Sequence, residues 1–140
     1  VQPAAARGVD GVLHIDPEYA GGLRDLDGFS HVVVIYHLHL VHGYDLSVVP
    51  FLDVEARGIF ATRSPKRPNP IGLSIFRLLR IEDARVYVRD VDAVDGSPIL
   101  DLKPYVPAFD APAAERIGWF AGRLDTLATA RADTRFEAGP

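Results

Sequence analysis

Apolar and polar positions alternate along this chain in the short rhythm of strands, with one late stretch at helical spacing. Val12 to Ile15 reads as a short strand, and Phe29 to Leu40 as the clearest one. The latter is apolar on both faces through Val32–Tyr36, as suits a central strand. Pro17 to Leu26 reads as a loop or helical turn, interrupted by Gly21 and Gly22. Val41 to Gly58 mixes polarities around Gly43 and Pro50 and predicts a long irregular loop, a type often used for binding. Leu73 to Ile81 and Arg85 to Val91 predict two strands joined by the polar turn Glu82, Asp83 and Ala84. Asp95 to Pro98 is a turn, and Ile99 to Val106 an extended segment. Pro112 with Glu115 opens a predicted helix over 112–130, whose Ile117, Phe120, Leu124 and Leu127 share one face. Several strands, one helix and no βαβ rhythm predict a mostly β domain, a barrel or twisted sheet with a C-terminal helix.

At 140 residues the chain is the size of one domain, read here as a single domain over 1–140. It has no cysteine, which excludes disulfides and thiolate metal sites and fits the cytoplasm. No apolar run approaches the roughly 18 residues of a membrane span. Position 1 is Val and methionine is absent, which points to a chain trimmed from a longer product. The net charge of −4 argues against a general nucleic-acid coat. Charge is uneven, however: from Ile59 to Asp90 seven cations face three acids, a local balance of +4. Such a patch suits an anionic ligand or a single nucleic-acid loop. Lysine occurs only at Lys66 and Lys103, both inside the two motifs that carry the chemistry.

The first motif runs from Arg63 to Ser74 and has three prolines in six residues, Pro65, Pro68 and Pro70. Each fixes its own φ and extends its predecessor, giving a stiff loop that presents Arg63, Lys66, Arg67 and Asn69 with little entropy left to lose on binding. A rigid surface connector is the bland alternative. The second motif runs from Asp95 to Tyr105. Alternation puts Asp101, Lys103 and Tyr105 on one face and Leu100 and Leu102 on the other, towards the core. An acid, an amine and a phenol in a row can orient a ligand or hold a base in its charged form; an ion pair beside a rim tyrosine is the alternative.

Three blocks, Gly28 to His31, Gly58 to Ser74 and Asp95 to Tyr105, make the sequence resemble the TsaA-like (YaeB-like) family from about Gln2 to Val106. The resemblance implies a single-sheeted β-barrel, a homodimer, and S-adenosylmethionine-dependent methylation of N6 of threonylcarbamoyl-adenosine at position 37 of the tRNA anticodon loop. Carried over by position, the cofactor pocket comprises Gln2, Pro3, His39, Leu40, Arg63, Leu73, Arg89, Asp90, Val91 and Asp92. A sulfonium cofactor needs a carboxylate or carbonyl near its positive centre and a cation for its own carboxylate, roles that Asp92 and Arg63 fit. Lys66, Arg67 and Asn69 are the substrate-binding candidates, and Lys103 joins them at phosphates or the threonyl carboxylate. Asp101 or Tyr105 is the candidate base, since the acceptor nitrogen carries a carbonyl and has to lose its proton. No Gly-x-Gly-x-x-Gly fingerprint is present, so a Rossmann-type methyltransferase is not a competitor. Family members begin with a strand upstream of Gln2, and longer ones carry a second domain after the barrel; neither is found in this sequence.

Other readings stay open. The same fold could methylate a small molecule or another RNA, or bind the cofactor without catalysis. His31, His37 and His39, spaced along one strand face, could bind a metal, but no clear carboxylate ligand accompanies them, and the expectation is no metal site.

Overall fold

Seven strands, all in antiparallel pairs, organise the computed structural model, which describes residues 8–124. They are β1 (Asp10–His14), β2 (His31–His37), β3 (Ser47–Val48), β4 (Arg57–Gly58), β5 (Ile71–Glu82), β6 (Arg85–Arg89) and β7 (Ile99–Pro104). Five form one sheet in the order β1-β6-β5-β2-β7, and β3 pairs with β4 as a separate ribbon. The mostly β expectation is met. Among the described residues the edge strands β1 and β7 do not pair with each other, so the large sheet is open.

One face of the sheet makes the core. Val32, Val34 and Tyr36 of β2, Phe76 of β5, Val86 and Val88 of β6 and Leu13 of β1 are buried there, with Leu23 from the preceding turn. The period of two does this: in β2 alternate residues are buried while His31, Val33 and Ile35 between them are half-exposed. Burying Phe76 alone contributes about 2–3 kcal/mol by area. The Pro17–Leu23 segment forms a short 3-10 helix, as its proline start and glycine pair allow. The β5–β6 hairpin closes through Asp83 at φ +54, the left-handed conformation that Asp tolerates in a two-residue turn.

Two expectations are corrected. The predicted helix over 112–130 is not formed across the described residues 112–124; Leu127 lies outside them. Described residues 112–124 include the 3-10 turn Gly118–Phe120, and the α-helical turn α1 (Pro107–Asp110) lies upstream. Gly118 and Gly122 take φ of +59 and +76, on the wrong side of the map for a helix, so the helical spacing of apolar residues is not realised. Trp119 instead stacks on Phe120 and donates its Nε1–H to the Ala61 carbonyl at 2.7 Å. Leu100 is 55% exposed and not part of the core, because a bulge shifts the β2–β7 register between Ile35 and Tyr36. Ile99 and Leu102 are the residues of β7 packed against the core.

The loop over 41–58 is tied down more than its sequence suggests. Asp53 is buried and accepts the Val54 amide at 2.7 Å, the Glu55 amide at 3.3 Å and Arg57 Nε at 2.7 Å, while Arg123 stands 3.6 Å away. The Arg57 guanidinium, with these amides, holds the Asp53 carboxyl below the ordinary carboxylate range.

Candidate functional site

The first motif enters β5 through a tightly folded turn. Ile59–Ala61 form a 3-10 turn that buries Ile59 and leaves Phe60 76% exposed. Thr62 Oγ1 donates to the Ile59 carbonyl at 2.8 Å, and the Ser64 amide donates to Thr62 Oγ1 at 3.2 Å. Arg67 Nη1 reaches back to the carbonyls of Thr62, Ser64 and Ile59 at 2.9, 3.1 and 3.4 Å. This predicted substrate cation thus clamps its own loop through Nη1. Arg63 and Asn69 are exposed and Lys66 is half-buried, so their side chains remain at the surface of a stiff turn.

Where β2 ends and β5 begins, a polar chain crosses the core face. Gly72 lies opposite Tyr36, and a Cβ at that position would stand 2.5 Å from the Tyr36 ring, so only glycine admits the ring there. Ser74 Oγ donates to Asp92 Oδ1 at 2.6 Å and lies 3.0 Å from the Tyr36 hydroxyl. Serine has one hydroxyl proton, so with that proton on Asp92 the Tyr36 hydroxyl is the donor in the second bond. Tyr36 and Ser74 are 7% and 6% exposed, and Asp92 is half-buried. Burial pushes the Asp92 carboxyl above its ordinary value, partly offset by the Ser74 bond, and burial likewise raises the Tyr36 phenol. Sequence reasoning missed Tyr36 and Ser74 as site residues. The only signal was a serine closing the proline-rich motif at an inward position.

The other members of the 89–92 stretch are engaged structurally. Arg89 Nε pairs with Asp10 at 2.7 Å across β1 and β6. Asp90, at φ +69, accepts the Gly8 amide at 2.7 Å. Val91 closes on Gly11, where an added Cβ would lie 2.8 Å from Val91 Cγ2. Leu40 is exposed and His39 half-buried, both just past β2; Gln2 and Pro3 lie outside the described residues.

Asp101, Lys103 and Tyr105 of the second motif lie on the opposite face. In antiparallel pairing directly opposed residues share a face. Leu73, Ile35 and Asp101 therefore form one row across β5, β2 and β7, and Ile75, Val33 and Lys103 the next. Tyr105 continues the face beside His31, its ring edge-on at 5.9 Å between centroids. Lys103 Nζ pairs with Asp101 Oδ2 at 2.7 Å, and that bond holds the exposed Asp101 carboxyl below its ordinary range. Such a carboxylate is charged at neutral pH but weakly basic. His31 and His37 share this face, His39 falls beyond the strand, and among the described residues no group of three or more metal-ligating side chains exists. A shallow hollow of about 440 Å³, lined by Phe51, Leu52, Asp53, Val54 and Arg123, contains none of the predicted site residues. Among the described residues no helix is long and apolar enough to cross a membrane.

The family model described as the tRNA-methyltransferase O N-terminal domain matches residues 1–111. A probable S-adenosyl-L-methionine-binding protein of Pyrococcus abyssi is 45% identical over 136 residues, covering 97% of this chain and 74% of its own length. The tRNA (adenine(37)-N6)-methyltransferase of Escherichia coli is 34% identical over 146 residues, covering 89% of this chain and 62% of that protein. Among solved structures, TrmO from Pseudomonas aeruginosa superposes with a TM-score of 0.69 at 36% identity, covering 84% of this chain; the chain spans 52% of that structure's length. By its sequence over residues 1–111 and by its fold, the chain belongs to the tRNA-methyltransferase O N-terminal-domain family.

Proposed function

We propose that this chain is an S-adenosylmethionine-dependent methyltransferase domain that methylates N6 of threonylcarbamoyl-adenosine at position 37 of tRNA, acting as a homodimer. Membership of the family over residues 1–111 carries the reading. The geometry agrees with it in three respects. A half-buried carboxylate, Asp92, stands free of the ion pairs found among the described residues, as a partner for a cationic cofactor should. Arg63, exposed on the rigid loop, suits the cofactor's own carboxylate, and Lys66 with Asn69 suits the anticodon loop. The Asp101–Lys103–Tyr105 row supplies an anion, a cation and a phenol on one surface.

Bound S-adenosylmethionine would supply an activated methyl group for in-line transfer to N6, the sulfur keeping the bonding pair as a neutral thioether, and a base of this chain would take the N6 proton. Position and orientation supply most of the acceleration. Asp101 becomes a competent base when its lysine is drawn away. A threonyl carboxylate that engages Lys103 would do this, releasing the carboxyl from the bond that depresses it.

Asp92 and the Asp101 row occupy opposite faces of one sheet, so a cofactor and acceptor that meet both need the sheet's end or a second copy. Ile71, Leu73 and Ile75 are 48, 54 and 43% exposed on the Asp101 face, an apolar surface suited to a second copy.

Calorimetric titration with S-adenosylmethionine tests the cofactor. Saturable one-to-one binding, lost in Arg63→Ala, is expected; no binding to the wild-type chain would contradict the reading. The names of several relatives mention only S-adenosylmethionine binding, which favours a non-catalytic binding module as the second reading. Turnover on tRNA separates the two.

A further inference from the structure

The Tyr36–Ser74–Asp92 chain is a polar feature of the core face that packing does not require. Apolar residues of similar shape at 36 and 74 would remove two hydroxyls from the interior at little cost, and burying them is worthwhile only if they hold something. What they hold is a carboxylate by one oxygen. Ser74 takes Asp92 Oδ1, and no cation among the described residues forms an ion pair with Asp92. An acid in that setting is disfavoured in its charged form until a positive ligand arrives. Neighbouring Arg89 and Asp90, by contrast, are spent on Asp10 and Gly8. Asp92 is therefore the member of its segment left for a ligand.

We infer that Ser74 and Tyr36 are positioning residues that aim the Asp92 carboxylate at the sulfonium of the cofactor, making this site select the charged methyl donor over its neutral thioether product. The inference rests on the proposed use of S-adenosylmethionine and adds what distinguishes donor from product. The two ligands share the adenosine, the ammonium and the carboxylate, and differ in the methyl group and the sulfur charge. A carboxylate facing sulfur discriminates between them, whereas one facing the ammonium or the ribose does not. Tyr36 acts at one remove: its proton on Ser74 Oγ commits the serine proton to Asp92, which fixes the orientation of the carboxylate.

The experiment is calorimetric titration of S-adenosylmethionine and S-adenosylhomocysteine in parallel, on wild type, Ser74→Ala, Asp92→Asn and Tyr36→Phe. The readout is the ratio of the two dissociation constants. Asp92→Asn should shift that ratio against the charged donor by about tenfold, Ser74→Ala by about threefold, and Tyr36→Phe by less, in the order expected when a charge-assisted contact is lost or loosened. Asparagine still accepts from Ser74, so Asp92→Asn reads the same ratio even if Ser74→Ala does not fold. An unchanged ratio, or equal losses for both ligands, would overturn the inference while leaving the cofactor assignment standing. Failure of the wild-type chain to bind either ligand would overturn both.

Discussion

Asp92 and Asp101 stand on opposite faces of the same five-stranded sheet: one reaches Ser74 on the core face, the other shares a row with Leu73 and Ile35 on the outer face. A single open sheet cannot present both to one ligand across its thickness. If two copies pair through the outer face, Leu73→Arg places a charge in an apolar contact and should yield monomers. Analytical ultracentrifugation checks this; a wild-type monomer would remove the dimer from the account.

The Asp92 carboxyl gives a signed pH effect. Burial raises its value in the folded state, so the folded chain binds the proton more readily than the unfolded one. Stability attributable to this group therefore falls as pH rises from the ordinary carboxylate value through the raised one. Asp92→Asn should melt higher than wild type at neutral pH, and the difference should shrink in acid. Melting curves across that range decide it; a lower melting point for the variant at pH 7 would contradict the assignment.

Gly72→Ala should destabilise the fold by about 1–3 kcal/mol, because the new methyl meets the Tyr36 ring well inside contact distance between two paired strands. Chemical denaturation measures this. Displacement of the Tyr36 ring should also loosen the bond to Ser74, so cofactor affinity should fall along with stability.

Arg67 and Lys66 separate two jobs within one motif. Arg67→Ala removes three bonds to backbone carbonyls and should cost about 2 kcal/mol, with Arg67→Lys a poor replacement because an ammonium lacks the planar fork. Lys66→Ala should change stability by less than about 0.5 kcal/mol. It should weaken tRNA binding and flatten its salt dependence. Filter binding at several salt concentrations, beside melting curves, distinguishes them.

Lys103 sets the charge state of Asp101. Its ammonium lowers the Asp101 carboxyl, so Lys103→Ala should let that group titrate at higher pH. If Asp101 is the base, the acidic limb of the methylation rate then moves upward in pH by the same amount. Carboxyl NMR titration of both chains gives the first shift and the rate profile the second; a profile that stays in place excludes Asp101 from proton transfer.

The strands were legible because the period of two is set by local sterics, and β2, β5, β6 and β7 fall where alternation and turn residues put them. The proline-rich turn was equally plain. Other features depended on contacts that the local pattern does not display. The β7 bulge that turns Leu100 outward arises from pairing with β2, which alternation within β7 cannot reveal. The C-terminal apolar spacing suggested a helix, but Gly118 and Gly122 sit in left-handed backbone, and Trp119 is drawn to Ala61 some sixty residues away. The proline-rich loop marks Arg67 as a presented cation, and the bonds from its Nη1 to nearby backbone carbonyls are an additional role that composition does not display. The Tyr36–Ser74–Asp92 chain joins three separate segments and becomes visible only once β2 and β5 are in register.

The most direct test of the proposed activity is transfer of labelled methyl from S-adenosylmethionine to tRNA, followed by nucleoside analysis. The account predicts one methyl per tRNA, on N6 of threonylcarbamoyl-adenosine at position 37, and none on tRNA lacking the threonylcarbamoyl group. Tight cofactor binding with no methyl transferred to the modified tRNA would contradict it and leave a cofactor-binding module in its place.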